Sequence, residues 1–210
     1  MNIKKYNRSS GILLHPTSLP GMWDMGDFGK SAFAFIDFLN STNQKLWQIL
    51  PLTIPDNVDS PYASSSAFAG NTVLISPEEL EKYNLVSKKD ILELESKFTS
   101  NANRKEKLFK IAFKNYEKKN ILIDEYEEFK EKESYWLEYT VIFLLLKEEF
   151  NNVSWKNFPE EFKSYKNISN VWKEKNRNKL EKIKFKQFLF YYQWENIRKY
   201  SQSKNVEIIG

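Results

Sequence analysis

The stretch that decides the fold is residues 47–71, which read WQILPLTIPDNVDSPYASSSAFAGN. The apolar run 46–52 at its start is stopped by prolines, which is typical of a buried strand that ends in a loop. Proline fixes its own φ and restricts the residue before it, so Ser60-Pro61-Tyr62 is predicted to hold one tyrosine in place. The small residues of 63–71 let another backbone or a hydroxyl-rich ligand come close. The stretch therefore predicts half of a binding cleft.

A second strand and a helix are predicted before this stretch. Residues 10–15 form an apolar run closed by a loop rich in Pro and Gly. Apolar residues then recur every three or four positions over 30–39, which predicts a helix with Asp27 as its cap. Strands joined through a helix are normally parallel neighbours, so the loops after Leu14 and Leu52 should leave the same edge and face each other.

Most of the remaining chain is predicted to be helical. Residues 76–79, SPEE, start a helix with a serine cap, a first-turn proline and acids at the positive end of the dipole. The pattern stays helical to about residue 185, with a further start at 158–161. The aromatic residues of 188–194 are interpreted as a helix-packing surface rather than a binding platform. Residues 204–210 then predict a third strand.

Composition limits the possible functions. Of the 210 residues, 41% are apolar, which is enough for a core. The absence of cysteine excludes disulfides, thiolate metal sites and a cysteine nucleophile, and favours a cytoplasmic location. The polar start and the lack of a long uncharged run predict no signal peptide and no membrane partner. The 32 basic and 28 acidic residues alternate along helices, which argues against a nucleic-acid partner. His15, the only histidine, is interpreted as a packing or hydrogen-bonding residue rather than a catalytic one.

A three-stranded parallel sheet alone leaves an apolar face or edge uncovered. We therefore expect the chain to be the front part of a larger protein, and we expect exposed apolar surface and association in solution. The helical segment between the second and third strands has about a hundred residues, where an ordinary crossover needs about a dozen. It is predicted to be an insertion.

Several strings of the sequence together resemble one known family. SGILLHPTSLPG, GDFG, WQILPL, DSPYASSSAFAGN, QFLFYYQW and the terminal VEIIG are similar to the amino-terminal part of 4-alpha-glucanotransferases, also called amylomaltases or disproportionating enzymes, of glycoside hydrolase family 77. The likeness keeps the family's order over nearly the whole chain and is most specific from DSPY to AGN. The chain differs from the family at residues 23–25 and 54–58.

The resemblance implies an α/β fold. The chain would supply the first three strands of a (β/α)8 TIM-type barrel, with a large helical insertion between strands 2 and 3, and the barrel would be incomplete. Residues 1–76 would form the barrel start with the substrate loop. Residues 77–184 would form the insertion subdomain, and 185–210 would return to the barrel with a helix and the third strand.

The resemblance also implies an activity on α-1,4-glucans or maltooligosaccharides. The family moves glucan segments between sugars with retained configuration, which needs a nucleophilic carboxylate and a protonated carboxylic acid about 5 Å apart. Those catalytic acids lie on later strands, in a carboxy-terminal barrel portion that this chain lacks, so we expect no catalytic residue, no metal, no cofactor and no activity of the chain alone. Ser60 and Tyr62 match the motif that holds donor glucose units. Asp56 and Asp59 are interpreted as turn and capping residues.

Two other hypotheses remain open at this point. One is a standalone carbohydrate-binding or helical scaffold module without catalysis. The weaker one is a helical interaction protein in which the sheet is incidental.

Overall fold

Three short parallel strands form the sheet of the computed structural model, which describes residues 8–55 and 60–210. They are β1 Gly11–Leu13, β2 Leu46–Gln48 and β3 Glu207–Ile209, in the order β1-β2-β3. Trp47 of β2 lies opposite Ile12 of β1 and Ile208 of β3. The predicted parallel strand-helix-strand start and the third strand are confirmed, although each strand is shorter than its apolar run.

Helices make up most of the rest of the described chain. The α-helices are α1 Lys30–Ser41, α2 Pro77–Lys82, α3 Lys88–Lys97, α4 Asn101–Lys119, α5 Ile123–Lys132, α6 Ser134–Glu149, α7 Asn170–Lys175 and α8 Arg177–Ser203. Ser76 and Pro77 start α2 at the predicted positions. The boundary predicted between 184 and 185 falls inside α8, which runs without interruption from one proposed unit into the other.

The segment between α6 and α7 contains less helix than the mostly helical pattern predicted for it. It consists of short 3₁₀ turns, Trp155–Asn157, Glu160–Phe162 and Tyr165–Asn167. A helix does start within 158–161, at Glu160 after Pro159, but it is a single 3₁₀ turn and no α-helix follows there. Asn151 and Asn152 have left-handed φ values of 53° and 59°, which end α6, and Pro159 provides no amide hydrogen to continue a helix.

The prediction that Asp27 caps α1 is also wrong. Gly29 occupies the N-cap position, and Asp27 lies two residues earlier, where its Oδ1 accepts a hydrogen bond of 2.9 Å from the Gly29 amide. Its Oδ2 lies 3.6 Å from Nζ of Lys105 on α4, and both side chains are buried. The carboxylate is thus held in an ion pair between the loop and α4 instead of capping the helix.

One continuous core joins the sheet to the helices. Helix α8 packs against α1, α4, α5, α6 and β3. The Trp47 side chain is fully buried and its Nε1 donates a 2.7 Å hydrogen bond to the Leu14 carbonyl. Phe188 and Phe190 are buried and in contact with other rings, which confirms that the aromatic string of α8 is a packing surface. On the edge strand β1, Leu13 is 55% exposed.

Across residues 8–55 and 60–210, none of the helices has both the length and the apolar character that a bilayer crossing requires.

A capping box at the start of α3 gives a first testable prediction. Ser87 accepts a hydrogen bond from the Asp90 amide, and the Asp90 carboxylate accepts one of 2.8 Å from the Ser87 amide. We expect Ser87→Ala to lower the free energy of unfolding by about 1 kcal/mol in urea denaturation followed by circular dichroism. The matched control is Ser100→Ala at the N-cap of α4, where the described structure shows no side-chain capping bond. Equal losses for both variants would contradict this account.

Candidate functional site

The loops that follow β1 and β2 meet at the carboxyl edge of the sheet. Beyond the strands, the Leu14 amide continues the ladder with a 2.9 Å hydrogen bond to the Gln48 carbonyl. The backbone of Pro51, in the second loop, contacts the His15 ring of the first loop. The expectation that the two proline-rich loops face each other is therefore confirmed at their bases.

The second loop folds back on itself as a narrow arm, whose described residues are 53–55 and 60–70. An antiparallel bridge joins Thr53 to Gly70 and another joins Pro55 to Ser64. The Ile54 amide donates to Ala69 at 2.9 Å, and the Ser64 hydroxyl donates to the Ile54 carbonyl at 2.6 Å. The small residues of 63–71 thus allow a close backbone approach, as predicted, and the approaching backbone is the loop's own first half. Tyr62 lies at the outer end of this arm.

Tyr62 combines a fixed backbone with a free ring. Its amide donates to Ser60 Oγ at 3.3 Å, and the Ala63 amide donates to the Ser60 carbonyl at 3.0 Å, which closes a turn around Pro61. The Tyr62 side chain is 75% exposed. Because Ser60 uses an oxygen lone pair in this turn, its hydroxyl proton remains able to donate to a ligand. The arrangement presents one flat aromatic face and one hydroxyl group to solvent.

Two glutamines of α8 hold the base of the arm and the start of α2 that follows it. The Gln187 amide binds both backbone groups of Gly70, accepting from its nitrogen at 2.8 Å and donating to its oxygen at 3.1 Å. Gln193 binds Ser76 in the same way, at 2.7 and 3.2 Å. Both glutamines are buried. Buried backbone groups must find partners, so these two side chains replace the pairing that a neighbouring strand would give.

Aromatic contacts attach the arm to helix α6 as well. The Phe68 ring is stacked on Trp136 of α6, with centroids 5.6 Å apart and an angle of 14° between the planes. It also meets the edge of Tyr135 at 5.8 Å. The Tyr191 hydroxyl of α8 donates a 2.5 Å hydrogen bond to the Phe68 carbonyl. Helices α6 and α8 together therefore fix the loop that carries Tyr62.

His15 has a structural role in the first loop. Its Nδ1 accepts from the Thr17 amide at 3.3 Å and lies 2.7 Å from Thr17 Oγ1, so the ring caps the 3₁₀ turn Pro16–Ser18. Burial lowers the pKa of His15, and the Pro51 carbonyl opposes that shift, so the ring is neutral at pH 7. This confirms the interpretation of His15 as a hydrogen-bonding residue.

Trp23, in the first loop, is held in place by packing. Trp23 is buried although it has a left-handed φ of 63°, and Asp24 follows with φ 66°. The Arg104 guanidinium of α4 lies 5.7 Å from the centre of the Trp23 ring, a cation–π arrangement. The tryptophan therefore connects this loop to α4.

The described loops contain no pair of facing carboxylates suited to acid–base chemistry. In the described part of the loops after β1 and β2, the carboxyl groups are Asp24 and Asp27, and Asp27 is buried beside Lys105. Asp56 and Asp59 lie outside the described residues. No group of three or more His, Asp or Glu side chains able to hold a metal occurs within residues 8–55 and 60–210.

Sequence reasoning missed Gln187, Gln193 and Lys105 as residues that support the site. Lys105 donates to the carbonyls of Val73 and Ile75, directly after the arm. A glutamine within an otherwise apolar helix face is a usable signal, because a buried amide must be paired. The partner, however, lies 117 residues away in sequence, and local patterns carry no information about it.

Comparison with known proteins gives consistent matches over nearly the whole chain. A family model described as 4-alpha-glucanotransferase matches residues 14–210. A 4-alpha-glucanotransferase of Aquifex aeolicus is 38% identical over 215 residues, which cover 97% of this chain and 42% of the relative. One from Clostridium butyricum is 37% identical and covers 94% of this chain and 42% of its own length. The chain thus spans about 42% of the length of these curated relatives.

Solved structures agree with these matches. An amylomaltase from Streptococcus agalactiae in complex with acarbose has a TM-score of 0.88 and 32% identity, covering 97% of this chain and 43% of the neighbour. An amylomaltase from Corynebacterium glutamicum has a TM-score of 0.70 at 15% identity, covering 95% of this chain and 29% of the neighbour. The second likeness concerns the fold alone.

Proposed function

Because the chain belongs to the 4-alpha-glucanotransferases of glycoside hydrolase family 77, we propose that it forms part of the donor-sugar wall of such an enzyme. In this proposal the enzyme transfers α-1,4-glucan segments between maltooligosaccharides with retained configuration. The three parallel strands are the first strands of a (β/α)8 barrel. Residues 77–184 are its helical insertion, and the protein acts in the cytoplasm.

The observation that carries the proposal is the presentation of Tyr62. Its ring is 75% exposed, while the arm behind it is held by Gln187 and Tyr191 of α8. A pyranose ring has an apolar C–H face and a rim of hydroxyls, and a tyrosine offers a flat apolar face with a polar edge. Tyr62 contacts the face of a donor glucose, and the Ser60 hydroxyl binds a sugar hydroxyl. The acarbose complex of the Streptococcus agalactiae neighbour supports an oligosaccharide as the ligand.

The chain alone performs binding without transfer. Retaining transfer needs a nucleophilic carboxylate and an acid about 5 Å apart across the scissile bond. Asp27 is buried and ion-paired with Lys105, and Asp24 is the other carboxyl group in the described part of these loops. The catalytic acids belong to the part of the family's barrel that this chain does not contain.

A standalone carbohydrate-binding module is the second candidate function. The observation in its favour is that helices α6 and α8 hold the arm in place, through Gln187, Tyr191 and Trp136. Such a module binds glucans but gains no activity when the remaining barrel of a relative is added. A glucanotransferase portion does gain activity in that experiment.

Tyr62→Ala tests the binding proposal. We expect the Kd for maltotriose or acarbose, measured by ligand-observed NMR or calorimetry, to rise about threefold to tenfold, because one ring–sugar contact is lost. Tyr62→Phe keeps the ring and is the matched control, with an affinity close to that of the original protein. When the protein is incubated with maltotriose, no glucan longer than maltotriose should form.

Two results would count against the proposal. Unchanged affinity in Tyr62→Ala would remove Tyr62 from the site, and formation of maltotetraose or longer products by the chain alone would contradict the absence of catalysis.

A further inference from the structure

A recess lies beside the arm, between α6 and the 3₁₀ turns that follow it. Its volume is about 450 Å³, within the range of small-molecule sites. One side is formed by Ser65 of the arm. The other lining residues come from the insertion: Tyr139, Ile142, Phe143, Leu146, Trp155, Phe158, Phe162, Lys163, Tyr165 and Ile168.

The mouth of this recess carries exposed aromatic rings. Tyr139 is 52% exposed and Trp155 is 51% exposed, although both lie over a buried apolar floor that includes Ile142 and Phe158. The Tyr139 ring is braced by Tyr165, with centroids 4.3 Å apart. Rings that are half-buried and supported from behind lose little conformational freedom when they bind a ligand.

Charged groups lie around the Tyr165 ring that braces Tyr139. The Tyr165 hydroxyl donates to Glu138 Oε1 at 2.6 Å, and Lys173 Nζ lies 4.0 Å from the centre of the Tyr165 ring and 3.5 Å from Glu138. Lys163, at the wall, is paired with Glu160. The core of a protein–protein interface is depleted of charged residues, so an apolar partner is a poor fit. Flat apolar faces with hydrogen-bonding groups at their edge match a sugar.

The recess lies close to Tyr62 along the chain, because Ser65 is one of its lining residues. Ser65 follows Tyr62 by three residues, so their Cα atoms are at most about 11 Å apart. A few linked glucose units cover that distance. One glucan chain can therefore touch the Tyr62 ring and reach the recess past Ser65.

We propose that this recess is an accessory subsite for the same α-1,4-glucan, in which Tyr139 and Trp155 contact sugar faces several units away from the unit on Tyr62. The inference rests on the proposed function and adds to it a preference for long chains. Maltotriose occupies the Tyr62 site alone. Maltoheptaose reaches both places and binds more tightly because the second contact is intramolecular.

The test compares the affinities for maltotriose and maltoheptaose by calorimetry on the full chain. We expect the original protein to bind maltoheptaose about threefold to tenfold more tightly than maltotriose. In Tyr139→Ala and Trp155→Ala this preference falls to nearly one, while maltotriose affinity is unchanged. Tyr139→Phe keeps the preference. Leu92→Ala, on α3 and similarly exposed at 53%, is the control for loss of an exposed apolar group and also keeps it.

The outcomes separate this inference from the proposed function. If Tyr62→Ala weakens maltotriose binding but the recess variants keep the long-chain preference, the accessory subsite is wrong and the proposed function stands. If Tyr62→Ala has no effect while the recess variants lose maltoheptaose affinity, the Tyr62 site is wrong and the recess still binds glucan. Recess variants that change self-association in sedimentation without changing glucan binding would identify a protein contact and overturn the inference. No binding of either sugar by folded protein overturns both.

Discussion

Lys105→Met should lower the free energy of unfolding by about 3–5 kcal/mol, the loss typical of breaking a buried ion pair by removing one partner. Lys105 Nζ donates to the carbonyl of Ile75 at 2.8 Å and also to that of Val73, and it lies 3.6 Å from Asp27 Oδ2. Methionine fills a similar volume but leaves two carbonyls and a buried carboxylate without their donor. Chemical denaturation in urea, followed by circular dichroism, measures the loss.

The double variant Asp27→Asn, Lys105→Met is the control for this interpretation. The asparagine oxygen can still accept from the Gly29 amide, as Asp27 Oδ1 does at 2.9 Å, but the buried charge is gone. We therefore expect the double variant to be more stable than Lys105→Met alone, with a coupling energy of about 1–3 kcal/mol between the two positions. Simple additivity of the two single losses would show that the charge pair is not what stabilises the loop against α4.

The same pair predicts a dependence of stability on pH. Burial lowers the pKa of Lys105 to about 8, and the nearby Asp27 carboxylate opposes this shift. Between pH 8 and the ordinary lysine pKa near 10.5, the unfolded chain keeps a proton that the folded chain has released, so the free energy of unfolding rises with pH. We expect a gain of about 1 kcal/mol from pH 8 to pH 9, relative to the change in Lys105→Met over the same interval. If the stability of the original protein and that of Lys105→Met depended equally on pH, Lys105 would not be the group that titrates.

The features that the sequence predicts correctly are those that short-range patterns determine. The strands at 46–52 and 204–210 and the helix over 30–39 follow from apolar spacing and proline or glycine stops, and each is present. The turn at Ser60-Pro61-Tyr62 follows from proline stereochemistry. The sequence therefore indicates where the candidate ligand-binding tyrosine lies before any coordinates are known.

The errors arise where tertiary contacts decide. Asp27 is suited to a helix cap by its position, but α4 brings Lys105 to it from 78 residues away and the ion pair prevails. The segment after α6 has helix-forming residues, yet it folds as 3₁₀ turns whose rings, such as Phe158 against Phe150 at 5.0 Å, cover α6. The glutamine contacts to Gly70 and Ser76 are equally remote in sequence. The supports of the site therefore depend on long-range contacts, which local propensity does not encode.

Gly70→Ala should be the most damaging single-methyl change in the arm. A Cβ at this position would lie 2.1 Å from Cδ1 of the Phe190 ring, far inside any permitted contact. The ring is 3% exposed and packed against Phe28 at 5.3 Å, so it has little room to move. The backbone cannot retreat without losing its two bonds to Gln187. Overpacking combined with a damaged buried hydrogen-bond pair gives an expected loss of about 3 kcal/mol, measured by urea denaturation.

The double variant Gly70→Ala, Phe190→Leu tests whether the contact with the Phe190 ring causes the loss of stability. Phe190→Leu alone should cost about 1–2 kcal/mol, since it removes buried volume but keeps an apolar side chain. Gly70→Ala combined with Phe190→Leu should then be less destabilised than the sum of the two single changes, because the smaller side chain leaves space for the new methyl. Maltotriose affinity should follow the same order, lower in Gly70→Ala and largely restored in the pair, because the anchored arm fixes the position of Tyr62. Recovery of stability without recovery of affinity would mean that the base of the arm does not control its tip, and the exposed tyrosine would then be positioned by its own turn at Ser60 alone.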